Sequence, residues 1–338
     1  MFGGDLSTPV RLAYGLVPLV QLLEARGHAA RPLLAEAEIP RFALEEPSYR
    51  ISLQQELTFT RCALARLGGD VALEVGRRFH LSMFGVLGLA ASCAPTLHES
   101  FRLLLAYPAL VWGLIEITVW RDDAGETVVF VPGTVVGDLG DYFVARDMAA
   151  LVTLFSNTLG QATVPTALRL RRPAPANAQA YNAFFGCEVA FGATENSLYL
   201  THALWQRVPP QANEMSRRFF ENQCRDLSEQ MRAPFRFADI VRGRLRHAVP
   251  IPGLPVLADD LHLTPRTLQR RLAAEGENFG AILREVRAAK ALELLERPGI
   301  AIADVSFRLG FRDPDAFSRA FRSWTGVAPT EYRRARQS

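Results

Sequence analysis

The chain has 338 residues, of which 49% are hydrophobic, 22% charged and 9% aromatic, the balance of a soluble globular protein long enough for two domains. Its longest apolar run, Leu103 to Ile115, contains Pro108 and Gly113 and falls short of the roughly 20 residues a membrane span needs. The net charge of +3 hides an asymmetry: Met231 to Ser338 carry 19 Lys+Arg against 12 Asp+Glu, a net +7, and the preceding residues carry −4. A polyanionic partner is therefore expected for the carboxy-terminal part alone.

No amino-terminal stretch reads as a signal peptide, with Asp5 near the start and Arg11 interrupting the first apolar run. Cys62, Cys93, Cys187 and Cys224 are far apart and form no C-x-x-C pair, and the six histidines show no metal-ligand spacing. Neither a zinc site nor a disulfide framework is expected, and no cofactor. Reduced thiols in a cytoplasmic protein are the expectation.

In chain order, apolar periodicity predicts helices over Pro9–Arg26, Leu53–Leu67, Gly85–Cys93, Thr96–Leu105 and Asp141–Leu159. Alternation predicts strands at Ile115–Trp120 and Thr127–Val131, joined through Asp123-Ala124-Gly125, and further strands at Ala167–Arg171, Glu188–Phe191 and Ser197–Leu200. The first part is thus α+β. Ala212–Met231 reads as a helix leading into an Arg232–Arg236 linker with Pro234. The expected division is a domain over 1–210, a linker helix and linker over 211–235, and an all-α domain over 236–338.

The last hundred residues hold an internal repeat. Thr264-Pro265-Arg266-Thr267-Leu268-Gln269-Arg270-Arg271-Leu272 matches Asp313-Pro314-Asp315-Ala316-Phe317-Ser318-Arg319-Ala320-Phe321 at an offset of 49. Upstream, Leu257-Ala258-x-x-Leu261-x-Leu263 matches Val305-Ser306-x-x-Leu309-Gly310-Phe311 at 48, with one extra residue near Arg312. Thr264 and Asp313 suit N-caps, and Pro265 and Pro314 suit the first helical position. Leu268 and Leu272, or Phe317 and Phe321, share one buried face, which leaves Arg266, Arg270 and Ala273, or Asp315, Arg319 and Arg322, on another. A short helix, tight turn and Arg-bearing second helix is the arrangement that enters a DNA major groove. A pair of ordinary helical hairpins is the competing reading; two matched copies weigh against it.

Between the copies, Asn278–Glu296 reads as one helix with an apolar stripe of Ile282, Val286, Ala289, Leu292 and Leu295, stopped by Pro298-Gly299. At 1.5 Å per residue its length is close to the ~34 Å between successive major-groove faces. Two recognition helices in adjacent grooves are expected.

Residues from about Phe235 to Arg334 resemble the AraC/XylS DNA-binding domain. The resemblance rests on Ile302-Ala303-Asp304-Val305-Ser306, Leu309-Gly310-Phe311, Asp313-Pro314-Asp315-Ala316-Phe317-Ser318-Arg319-Ala320-Phe321, Trp324-x-Gly326, Pro329 and Tyr332-Arg333. Ser306 departs from the family's usual Ala. The resemblance implies base reading from Arg266, Gln269 and Arg270 in the first unit and from Asp315 and Arg319 in the second. Thr267, Arg271 and Arg322 complete the expected DNA-facing set, the two arginines as phosphate contacts. The acidic Asp315 can accept from cytosine N4 but repels phosphate.

The first part resembles the amino-terminal domain of the branch of this family that includes ornithine-utilisation and quorum-sensing regulators. The matching residues are Gly69-Asp70, Leu73-x-x-Gly76, Phe84-Gly85-x-Leu87-Gly88, Ser92 and Pro95-Thr96-Leu97. Later come Arg172-Pro173-Ala174-Pro175, Tyr181, Phe184-Phe185-Gly186-Cys187, Val189 and Phe191-Gly192-Ala193. These read as fold-defining glycines and apolar anchors, and no ligand residue is carried over from them. The resemblance implies small-molecule sensing and pairing of chains.

No catalytic signature is present: no G-x-S-x-G, phosphate-cradling glycine loop or H-E-x-x-H. Glu195, Asp138 and Asp141 read as solvated loop charges rather than a carboxylate cluster, and Cys187 as a buried, inert thiol. The function expected is a ligand-responsive, sequence-specific transcription regulator, an activator acting on promoter DNA with RNA polymerase as partner, homodimeric and not an enzyme. The alternatives are an enzyme fused to a DNA-binding domain, as in alkyl-DNA repair regulators, and a regulator governed by abundance or a protein partner. The effector is expected to be apolar or amphipathic, with an amino acid as the other candidate.

Overall fold

A computed structural model describes residues 8–46, 48–111, 113–232, 235–297 and 299–337. They divide into two units, one ending at 232 and one starting at 235, with Pro40–Phe42 grouped with the second. The predicted Pro234 and Pro298 breaks lie outside the described residues.

The first unit is α+β. Where a single helix is predicted over Pro9–Arg26, the chain instead forms β1 (Pro9–Leu12), a 3-10 turn at Ala13–Leu16 and α1 (Val17–Ala25). The strand exists because β2 (Arg50–Ser52) pairs with it antiparallel, a partner that local periodicity does not reveal. The helix α2 (Ala30–Glu36) precedes β2. Ser52 then opens α3 (Leu53–Leu67) with a reciprocal cap: its hydroxyl accepts from the Gln55 amide and the Gln55 side chain accepts from the Ser52 amide. Next come α4 (Ala72–Gly76), α5 (Val86–Ser92) and α6 (Leu97–Ala106), the last capped by Thr96.

A five-stranded sheet follows, with β3 (Ile115–Arg121), β4 (Gly125–Pro132), β5 (Ala167–Leu170), β6 (Val189–Phe191) and β7 (Ser197–Thr201) in the order β3-β4-β7-β5-β6. All neighbours are antiparallel except β5 and β6. The β3–β4 turn lies one residue earlier than predicted. Asp122 accepts from the Ala124 and Gly125 amides, both at 2.8 Å, and Gly125 already belongs to β4. A β-carbon there would stand 2.3 Å from the Leu200 carbonyl, so the strand approach requires glycine.

Across this sheet runs α7 (Gly140–Leu159), which packs on β3, β4, α4, α6 and α8 (Ala178–Phe185). Gly76 lets α4 approach it: a β-carbon at Gly76 would fall 2.5 Å from Ala149 Cβ. Phe101, Phe155 and Trp205, the last on the short α9 (His202–Trp205), form an aromatic core with centroids 5.4–5.6 Å apart. Three residues of the recognised amino-terminal motifs converge: Asp70 accepts from Tyr181 Oη at 2.6 Å and from Arg172 at 2.9 Å. They tie segments more than a hundred residues apart in the chain, Asp70 to Arg172 and to Tyr181 of α8. Asp138 pairs with Arg61, and Cys187 is half-buried, its thiol pushed up by that burial. The unit ends in α10 (Glu214–Arg232), packed against α5. Among the described residues, no helix is long and apolar enough to cross a membrane.

The second unit is all helical. It comprises α11 (Phe237–His247), α12 (Leu254–Asp260), α13 (Pro265–Ala274), α14 (Phe279–Glu296), α15 (Ile302–Arg308), α16 (Pro314–Thr325) and α17 (Pro329–Gln337). Asn278 caps α14 by accepting from the Ala281 amide. The buried set on α14 differs from the predicted stripe: Ala289 is exposed, whereas Phe279, Ala291 and Leu294 are buried beside Ile282, Val286 and Leu295. The cause is that α14 packs against α11, α15, α16 and α17, so more than one of its faces is covered.

Candidate nucleic-acid interface

Two helix-turn-helix units, α12–α13 and α15–α16, flank the central helix α14. In the first, the Thr264 hydroxyl accepts from the Thr267 amide at 3.1 Å; in the second, Asp313 accepts from the Ala316 amide at 2.6 Å. Pro265 and Pro314 each open their helix. Leu268 and Leu272, and Phe317 and Phe321, are fully buried. The same sequence logic thus builds both second helices: a capped start, a preset φ, and an apolar pair one turn apart.

The turns match in conformation but not in residue. His262 and Gly310 occupy equivalent places and both take positive φ, +50° and +73°. Only the second demands glycine, since a β-carbon at Gly310 would lie 2.0 Å from the Ile251 carbonyl oxygen. Ser306 is buried and donates to the Asp313 carbonyl at 2.9 Å, tying α15 to the start of α16. Arg287 of α14 donates to the Gly310 carbonyl at 3.0 Å.

On the opposite face, Arg266, Gln269, Arg270 and Ala273 are exposed on α13, and Asp315, Arg319 and Arg322 on α16. Among the described residues, Arg266, Arg270, Arg319 and Arg322 form no ion pair within the chain. Glu275, the acid best placed in sequence to brace Arg270, instead accepts from the Phe237 and Ala238 amides at 2.6 and 2.9 Å, capping α11. The exposed guanidinium groups are available to a polyanion. Thr267 is half-buried, its hydroxyl 2.9 Å from Thr264 Oγ1.

Arg271 is placed differently from Arg322. It is half-buried, with its guanidinium 5.6 Å from the centroid of the Phe237 ring. Its role in joining α13 to α11 was not legible, because Phe237 lies far back in the chain. Arg312, where the sequence places the extra residue of the second turn, is exposed there, though it is absent from the expected DNA-facing set. Its signal was the shift of the repeat offset from 48 to 49. On α11, Arg242 bonds Glu277 and Glu285, which hold its guanidinium well above the usual arginine range despite desolvation. The Glu277 carboxyl is correspondingly lowered, chiefly by its bond from Arg242. Lys290 donates to the Arg246 and Ala248 carbonyls, at 2.7 and 3.0 Å. These contacts lock α11 to α14.

A twice-repeated helix-turn-helix with exposed arginines on both second helices defines a DNA-binding protein. Residues 257–335 match the helix-turn-helix domain family, and residues 27–208 match the family described as the arabinose-binding amino-terminal domain of AraC transcription regulators. The chain belongs to the AraC family of DNA-binding transcriptional regulators. It is 29% identical to an HTH-type transcriptional regulator of Mycobacterium tuberculosis, over 98% of this chain and 99% of that one. It is 27% identical to the ornithine utilization regulator of Pseudomonas aeruginosa, over 98% of this chain and 100% of that one. The solved structure of the transcriptional regulator CdpR from Pseudomonas aeruginosa aligns over 96% of this chain and 99% of that one, with a TM-score of 0.45 and 24% identity.

Proposed function

We propose that the chain is a ligand-responsive transcription activator that places α13 and α16 in two adjacent major grooves on one side of a promoter. On this reading residues 1–210 form the sensing and pairing domain, 211–235 the linker, and 236–338 the DNA-binding domain. Arg266, Thr267, Gln269 and Arg270 read the first groove, and Asp315 and Arg319 the second. Arg322 holds phosphate, and Arg271 contacts phosphate from its place against Phe237. The 18 residues of α14 span about 27 Å at 1.5 Å per residue, near the repeat of about 34 Å between groove faces. The effector is a small apolar or amphipathic molecule bound by the first domain. The active form is a homodimer that engages RNA polymerase.

The observation that carries this reading is the matched pair of second helices, each with a capped start, a buried apolar pair and an exposed arginine at the same place, Arg270 and Arg319. The test is retardation and footprinting of promoter DNA by the full chain. Two protected grooves about one helical turn apart, with affinity falling steeply as salt rises, are expected. A single protected groove, or binding indifferent to salt, overturns the two-groove reading. Sedimentation at tens of micromolar tests the dimer, and a monomer there refutes it.

A further inference from the structure

The amino-terminal unit holds a half-open, mostly apolar cavity of about 90 Å³. Phe84, Phe101, Leu104, Ile115, Leu151 and Leu154 are among the apolar residues that line it. These side chains come from the turn before α5 and from α6, β3 and α7. Leu105, also in the wall, is exposed and marks the rim.

One part of the wall is charged. Arg146 and Asp147, neighbours on α7, both face the space. Arg146 donates through Nε at 2.7 Å to Oδ1 of Asp147, with Nη2 2.6 Å from the same oxygen in an ion pair, and their side chains are 7% and 13% exposed. The second oxygen, Oδ2, accepts no hydrogen bond among the described residues. It lies beside Gly113, where a β-carbon would stand 3.7 Å away. A second buried pair, Arg11 and Glu56, adjoins the first: Arg11 donates to the Gly113 carbonyl at 3.4 Å. The formal charges around this end therefore cancel.

Cancellation restricts the guest. A guest bearing a formal charge at this end would lose part of its water with no counter-charge left to meet it. A hydroxyl or amide N–H adds no charge and satisfies the open acceptor at Oδ2. At about 10–15 Å³ per water-sized group, the space fits a polar head and a chain of roughly five to eight carbons. Pro108–Leu110, the segment between the lining residues Leu105 and Val111, packs against α10, the helix that precedes the DNA-binding unit in the chain.

We propose that this cavity is the effector site and that it takes a small neutral amphipath, its tail against the apolar wall and its hydroxyl or amide head donating to Asp147 Oδ2. The proposal rests on the reading of the amino-terminal unit as the sensing part of a regulator.

The test uses the full chain and probes that share one tail: 1-octanol, octanoate and octylamine, with n-octane lacking a head. A ligand of the folded state raises the melting temperature by mass action. The expected result is a saturable rise with 1-octanol and at least tenfold weaker apparent affinity for the other three. Two variants are expected to lose at least tenfold in 1-octanol affinity: Ala150→Leu, which fills the space from α7, and Leu105→Trp, which crowds the rim from an exposed position. Should Ala150→Leu fail to fold, Leu105→Trp decides alone. No saturable 1-octanol response, a tighter response to octanoate or octylamine, an equal response to n-octane, or a response untouched in the folded variants overturns the proposal. DNA retardation by the same preparation separates the two readings. Retardation without 1-octanol binding sinks the cavity proposal alone, whereas no retardation at any salt concentration sinks the regulator reading.

Discussion

The guanidinium carbon of Arg287 lies 4.4 Å from the centroid of the Phe311 ring, and Arg287 Nη2 donates to the neighbouring Gly310 carbonyl. One side chain of the central helix thereby fixes the turn of the second helix-turn-helix. Burial lowers the Arg287 pKa, so the ring and the carbonyl stand in for the water it has lost. Arg287→Ala is expected to destabilise the protein by about 1–3 kcal/mol, through the stacked cation and the hydrogen bond together. Arg287→Lys restores the charge but not the planar stacking and is expected to recover less than half of that loss. Urea unfolding of the three proteins checks both statements, and equal stability of wild type and Arg287→Ala refutes them.

The two turns give a matched pair of substitutions. Gly310→Ala sets a β-carbon 2.0 Å from the Ile251 carbonyl oxygen in a left-handed conformation. It should cost about 3 kcal/mol or more, because the backbone itself has to move. His262→Gly relieves the same left-handed strain in the first turn and gives back part of the gain as entropy of the unfolded chain. A change between zero and about 1 kcal/mol of stabilisation is expected. Melting curves that rank the two variants the other way would show that the turns are not equivalent.

Much of this architecture is legible in the sequence where the signal is local. Caps, prolines and apolar pairs place α13 and α16, and apolar periodicity places α3. Signals fail where the partner is distant. The strand at Pro9–Leu12 exists because Arg50–Ser52 pairs with it, and α14 buries Leu294 while exposing Ala289 because several helices cover it. Arg271 looks like any outward arginine until Phe237 is placed under it. The cavity beside Arg146 has no motif at all, since its wall is gathered from segments scattered from Phe79 to Leu154.

Ser306 departs from the alanine usual in the family, and its hydroxyl donates to the Asp313 carbonyl. That carbonyl also accepts from the Phe317 amide at 3.3 Å, so it keeps a partner when the hydroxyl is lost. Ser306→Ala should therefore cost only about 0.5–1 kcal/mol, the low end for a buried hydrogen bond. Thermal unfolding measures it. A loss above about 2 kcal/mol would mean that the hydroxyl does more than pin the start of α16.

Arg270 and Arg319 should matter most for the choice of DNA sequence. They hold the same place in the two repeats, both are exposed, and neither forms an ion pair among the described residues. Each lies away from the buried pair on its helix, so removing it leaves the packing intact. An arginine there can meet O6 and N7 of guanine with two coplanar hydrogen bonds, which alanine cannot supply. Arg270→Ala and Arg319→Ala should each cost about 1–3 kcal/mol on the preferred site and little on scrambled DNA. Arg322, exposed but without a matching arginine in the first repeat, is the phosphate control: its loss should weaken all sequences alike and flatten the salt slope. Arg271 is expected to behave differently from all three, because its guanidinium stacks on Phe237: Arg271→Ala should lower the melting temperature as well as the affinity. The measurement is binding of the four variants to specific and scrambled duplexes at one salt concentration, with melting curves alongside. Equal losses on both duplexes for Arg270→Ala and Arg319→Ala would assign those two arginines to phosphate, and a fall in their melting temperature would assign them to the fold.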